Sequence, residues 1–123
     1  MAFELPPRAM FDVCVPVRRR SGKLTVDGKL TEWSDEQLLP DLAALDGEPG
    51  FARVYMTWDG DGLYFAIDVG GKKKVASEPR RPWKADALHL WIDTRDVRDA
   101  MRAGRFCHHF IAMPRGGGRG GKS

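Results

Sequence analysis

The residue types best suited to chemistry cluster late in the chain. Cys107, His108 and His109 are consecutive, and His89 precedes them. Thiolate sulfur and imidazole nitrogen are the usual ligands of zinc. Neighbours on a strand point to opposite faces, so within this run only Cys107 and His109 share a face. Two ligands fall short of the three or four that a zinc site draws from the protein. The plainer expectation is a half-buried Cys107 and two interface histidines, with no metal and no cofactor.

Nucleophilic and acid–base chemistry is equally thin. Gly-x-Ser-x-Gly is absent, and the serines are Ser21, Ser34, Ser77 and Ser123. Asp59, Asp61, Asp86 and Asp93 would be the source of a carboxylate pair for glycoside hydrolysis. Asp59 and Asp61 sit in an Asp/Gly turn, where turn chemistry explains them. No enzymatic activity is expected of the chain.

The tryptophans offer a different chemistry. A flat indole face packs against the apolar C–H face of a pyranose; the competing role is ordinary packing, the default for aromatics on strands. Trp58 and Trp91 lie inside strand patterns and read as packing. Trp83 follows Pro82 in a basic loop just before a strand, where ligand contact and packing are both open.

The elements that must position these residues are short strands. Phe11 to Val17 alternates and predicts a first strand, pushed toward an edge by Pro16. Leu24 to Gly28 predicts a short strand ending in an Asp-Gly turn. Thr31 to Trp33 predicts one helical turn, and Gln37 to Leu39 an extended piece. Asp46 to Gly50 is a loop by composition. Ala52 to Trp58 and Leu63 to Val69 alternate around Asp59-Gly60-Asp61-Gly62, which predicts a β-hairpin. Gly70 to Pro82 reads as a polar, basic surface loop. Ala85 to Asp93 predicts a strand with Leu88, Leu90 and Ile92 on one face and Ala87, His89, Trp91 and Asp93 on the other. Asp96 to Ala103 predicts a short helix ended by Gly104, and Phe106 to Met113 a last strand. About seven short strands with little helix indicate an all-β sandwich or barrel.

Length and composition set the bounds. A chain of 123 residues holds one domain. We divide it into an N-terminal segment (1–10), a β-sandwich domain (11–113) and a Gly/Arg-rich tail (114–123). No apolar run approaches the roughly 20 residues of a membrane-spanning helix, so no membrane partner is expected. The net charge of +3 comes from the tail. Without Arg115, Arg119 and Lys122 the remaining 17 bases balance 17 acids, and no specific nucleic-acid partner is expected. Cys14 and Cys107 read as reduced thiols, with a single bridge as the alternative. Residues Met1 to Arg20 place their basic run last, the reverse of a secretory signal, so a cytoplasmic location is the default.

Three blocks carry a resemblance. Leu24 to Trp33 looks like the pattern hDGxhxExW, with Glu32 and Trp33 adjacent; Val54 to Ala66 resembles WDxxxLYhxh, and Pro82 to Asp93 resembles WxxDxhEhxID. In that order they resemble family 9 of the carbohydrate-binding modules and its DOMON-like relatives. The resemblance implies an antiparallel β-sandwich and a non-catalytic module that binds oligo- or polysaccharide, often fused to glycoside hydrolases. It implies that Trp83 forms one wall of an aromatic sandwich around the sugar. His89 stands where family members usually carry Glu, which replaces an acceptor-only carboxylate by an imidazole. Ile111 and Met113 align with polar positions of sugar-binding members. Family members continue with further strands, so the expected domain is incomplete at its C-terminal end. The candidate ligand-binding residues are therefore Trp83, His89 and His109.

Two other functions remain open at this level. A structural or interaction β-sandwich that has lost its sugar site would fit the replacements at His89, Ile111 and Met113. A DOMON-type haem module would draw ligands from Met56, Met113, His89 and His109. Oligomeric state is not readable from the sequence.

Overall fold

The computed structural model describes residues 14–43, 47–95 and 102–114. Four strands form among them, in two antiparallel two-stranded sheets, so the all-β class holds. The chain divides into two compact units, Met1–Gly71 and Lys72–Ser123, and each carries one sheet.

In the first unit, β1 (Ala52–Trp58) and β2 (Leu63–Val69) form the expected hairpin, in register from Ala52 opposite Val69 to Trp58 opposite Leu63. Period-two alternation places Arg53, Tyr55 and Thr57 on one face. Tyr55 and Thr57 are buried there. The Asp59–Gly62 turn closes on its own first residue. Asp59 N–H donates to the Gly62 carbonyl (3.0 Å), and Asp59 Oδ1 accepts from the N–H groups of Asp61 (2.8 Å) and Gly62 (3.1 Å) and from the Tyr64 hydroxyl (3.2 Å). The Asp61 N–H, with those further donors, holds the Asp59 carboxyl below the usual carboxylate range against a smaller opposing effect of desolvation.

The free edge of β1 is covered by two passing segments. Arg19 bridges Trp58 in parallel, and Arg20 N–H donates to the Trp58 carbonyl (2.9 Å). Thr57 Oγ1 donates to the Arg18 carbonyl (2.9 Å), and Trp58 Nε1–H to that of Val17 (2.9 Å). Further along, Leu38 bridges Tyr55, Leu39 N–H donates to the Val54 carbonyl (2.8 Å), and the Trp33 ring lies 6.0 Å from that of Tyr55. Covering an edge in this way satisfies backbone groups that would otherwise template aggregation.

Several expected elements take another form. Of the first predicted strand, residues 11–13 lie outside the described residues, and Cys14 to Val17 is not a strand; the β-bridge to β1 forms at Arg19. Leu24 to Gly28 is not a strand. Thr25 N–H is spent on the Glu32 carboxylate (3.1 Å), and Asp27 Oδ1 accepts from Lys29 N–H (2.9 Å) around Gly28, whose φ of +76° breaks the extended run. The helical turn predicted at Thr31 to Trp33 is a β-turn closed by Trp33 N–H on Leu30 (3.0 Å). A 3-10 helix follows at Asp35–Gln37, where the Gln37 side-chain oxygen accepts from Ser34 N–H (2.9 Å). The loop expected at Asp46 to Gly50 is a loop where it is described, from Gly47 on.

In the second unit, β3 (Leu88–Asp93) pairs antiparallel with β4 (Cys107–Ala112), from Leu88 opposite Ala112 to Asp93 opposite Cys107. β3 starts later than the alternation from Ala85 predicts. Asp86 is committed to the preceding loop: its N–H donates to the Ala76 carbonyl (3.0 Å), and its carboxylate accepts from Ala76 N–H (2.7 Å) and pairs with Lys72. Lys72, the largest influence, and the Ala76 N–H lower the Asp86 pKa. Before it, a second 3-10 helix (Pro82–Lys84) begins with buried Pro82. Of the helix expected at Asp96 to Ala103, residues 96–101 lie outside the described residues, and Arg102 and Ala103 are not helical. The return to β4 is tied by Thr94 N–H on the Phe106 carbonyl (3.1 Å) and by the Arg95 and Arg105 guanidinium groups over the Phe106 ring (4.4 and 4.7 Å).

Candidate functional site

The antiparallel register of β3 and β4 decides which side chains meet. Residues directly opposite share a face, so His89, Trp91 and Asp93 stand with Ile111, His109 and Cys107. Leu88, Leu90 and Ile92 occupy the other face with Ala112, Phe110 and His108. His89 and His109 are diagonal neighbours on the first face.

The three rings there are ordered. His109 lies flat on Trp91, with centroids 4.4 Å apart and planes 5° from parallel. His109 and His89 have centroids 5.1 Å apart, yet His89 Nδ1 and His109 Nε2 are 2.9 Å apart. Their planes differ by 23°. The two imidazoles therefore meet edge to edge, nitrogen against nitrogen, while the face of His109 rests on the indole. Trp91 as a residue remains 59% exposed.

This contact has a chemical consequence. An N–H···N bond between neutral imidazoles needs one donor and one acceptor. If His89 Nδ1 carries the hydrogen, its outer Nε2 is an acceptor and the outer Nδ1 of His109 is a donor. With the hydrogen on His109 Nε2 the outer roles exchange. Either way the pair keeps one donor and one acceptor on its two remaining ring nitrogens. A sugar hydroxyl, which donates and accepts, matches that pair of functions.

Trp83 sits in the Pro82–Lys84 helix and is 70% exposed. No ring contact joins it to the β3–β4 array among the described residues. The structure thus brings His89 and His109 together and presents Trp83 separately. Trp91 corrects the sequence expectation: it does not pack into a core but stands open on the same face as the histidines. Trp58, 41% exposed, keeps a structural role through its bond to Val17 and the Arg19 guanidinium 5.5 Å above its ring.

The other candidates are accounted for locally. Cys107 and His109 share a face, as the alternation predicts, but the close partner of His109 is His89. Among the described residues no group of three or more His, Cys, Asp or Glu is placed to hold a metal ion. Cys107 is half-buried and Cys14 exposed, and both thiols are free. Asp93 Oδ1 accepts from Arg95 N–H (2.7 Å). Ile111 lies opposite His89, and half-buried Met113 follows β4. Met56 is half-buried within β1 of the first unit.

No protein-family model, curated protein or solved structure matches this chain.

Proposed function

We propose that the chain is a non-catalytic carbohydrate-binding β-domain whose ligand face is formed by β3 and β4. The observation that carries this reading is the array of exposed Trp91 and His109 with half-buried His89. Indole surface suits the C–H faces of pyranose rings, and the remaining donor and acceptor of the histidine pair suit hydroxyl groups. Trp83 adds a second exposed indole in the same unit. The resemblance of residues 24–93 to family 9 modules supplies the ligand class, oligo- or polysaccharide. The fold proposed with it is an antiparallel β-sandwich.

Titration with cello- and xylo-oligosaccharides, followed by amide and indole NMR signals, tests the reading. Saturable shifts at Trp83, Trp91, His89 and His109 are expected. A dispersed spectrum that does not move would refute it.

A second reading is a structural or interaction domain without a sugar site. It is favoured by exposed apolar side chains such as Phe51 (70%), Phe110 (55%) and Val69 (52%), and by Ile111 on the candidate face. Large exposed apolar surface marks interaction sites. The immobile spectrum that refutes sugar binding is the outcome this reading expects.

A further inference from the structure

We infer that the loop of residues 72–86 selects acidic sugars: its free cations and the open indole of Trp83 fit an oligosaccharide of hexuronic acid units. The inference rests on the carbohydrate reading above and names the ligand class within it.

The balanced charge of the body conceals where that charge lies. Residues 72–86 hold six bases, Lys72, Lys73, Lys74, Arg80, Arg81 and Lys84, against two acids, Glu78 and Asp86. Both acids are committed inside the loop. Asp86 pairs with Lys72 and accepts from Ala76 N–H (2.7 Å), and Glu78 pairs with Arg81 (3.7 Å). Lys73, Lys74, Arg80 and Lys84 are exposed, and none of them has an ion-pair partner among the described residues. Four positive charges therefore stand uncompensated on one short segment.

Backbone bonds hold the segment in shape. Asp86 N–H donates to the Ala76 carbonyl (3.0 Å), Arg81 N–H to that of Glu78 (2.9 Å) and Lys84 N–H to that of Arg81 (2.9 Å). Pro82 is buried, while Trp83 beside it is exposed. Among the described residues no ring and no guanidinium lies over the Trp83 indole. The loop thus offers an unoccupied stacking surface with Arg80 and Lys84 close to it in the chain. A ligand need not order the backbone that carries them, which lowers the cost of binding.

A hexuronate pyranose has the matching layout. Its C–H face is apolar and suits an indole. Its carboxylate lies on the rim of the same ring and accepts charge-assisted hydrogen bonds from Lys or Arg. A nucleic-acid strand fits less well, because its phosphates need a basic track. Removing this loop leaves 14 of the 20 bases and 15 of the 17 acids, so the rest of the chain supplies no excess of positive charge.

The test is calorimetric titration of the full 123-residue chain with tetragalacturonate and with its methyl ester, which keeps the sugar and removes the charge. At low salt the acid should bind at least about tenfold more tightly, as several individually weak exposed ion pairs would total. The preference should shrink in about 1 M salt, where screening cuts the reach of a charge to about 3 Å. Lys73→Gln, Lys74→Gln, Arg80→Gln and Lys84→Gln combined should abolish the preference, read as the ratio of the two affinities. Trp83→Ala should weaken binding of both sugars. Equal affinity of the wild type for acid and ester, or a preference that survives the combined variant, would overturn the inference and leave carbohydrate binding standing. Binding of neither, with cello-oligosaccharides still bound, would do the same. No binding of any of the three would overturn both readings. Tighter binding of an oligothymidylate of similar length would give the loop to nucleic acid and overturn the inference as well.

Discussion

The imidazole of His109 lies flat against the indole of Trp91, 4.4 Å between centroids and 5° from parallel. This contact holds His109 with its Nε2 toward His89 Nδ1. Replacing the indole removes that support. In Trp91→Ala the His109 ring protons should lose their upfield ring-current shift, and oligosaccharide affinity should fall about tenfold, equivalent to about 1.4 kcal/mol. His108→Gln, whose side chain stands on the other face, should leave sugar affinity unchanged. NMR titration of the two variants side by side measures both effects.

Thr57 is the fully buried residue of the hairpin, and its hydroxyl reaches the Arg18 carbonyl at 2.9 Å. Valine keeps the shape and removes the donor. Thr57→Val should cost about 0.5–1.5 kcal/mol, the net contribution of one intramolecular hydrogen bond. Urea denaturation gives the loss, and faster amide exchange at Arg20 would locate it, because Arg20 N–H sits on the neighbouring Trp58 carbonyl.

The Asp59 carboxyl is held below its ordinary value, chiefly by Asp61 N–H. A depressed carboxylate pKa adds stability that is present above the unfolded-state value and lost as pH falls through the folded-state value. The loss therefore begins near about pH 4, the ordinary Asp range, and continues below it. Asp59→Ala should be less stable than the wild type at neutral pH and show a shallower acid limb. Denaturation midpoints between neutral pH and the acid limb provide the check.

Asp86 ties the loop after Lys72 to the entry of β3, through Lys72 and Ala76 N–H. In Asp86→Ala the Ala76 amide should lose its protection from hydrogen exchange, while amides at the centre of β3 keep theirs. The wild-type Ala76 amide should lose protection in acid in the same sense, because the lowered Asp86 pKa means the bond lasts until pH falls beneath the usual carboxylate range.

The hairpin at Ala52 to Val69 is legible because two signals agree there. Period-two alternation gives β1, a run rich in aromatic and β-branched residues gives β2, and Asp59 with Gly62 gives the turn between them. Leu24 to Gly28 shows the limit: its composition suits a strand, but Thr25 N–H finds the Glu32 carboxylate, a partner seven positions away that alternation cannot reveal. The candidate site is legible only in part. Alternation places His89 with Trp91, and Cys107 with His109. Whether His89 meets His109 depends on the offset between β3 and β4, which is set across a connection and not by either strand alone. The openness of Trp91 is hidden for the same reason, since exposure belongs to the assembled sheet.

The most direct test of the account is a two-dimensional NMR titration of the whole chain with cello- and xylo-oligosaccharides. The account predicts saturable, co-titrating shifts of the Trp91 and Trp83 indole N–H signals and of the His89 and His109 rings, with the β1–β2 hairpin unmoved. A dispersed spectrum in which those signals stay fixed at saturating sugar would contradict it.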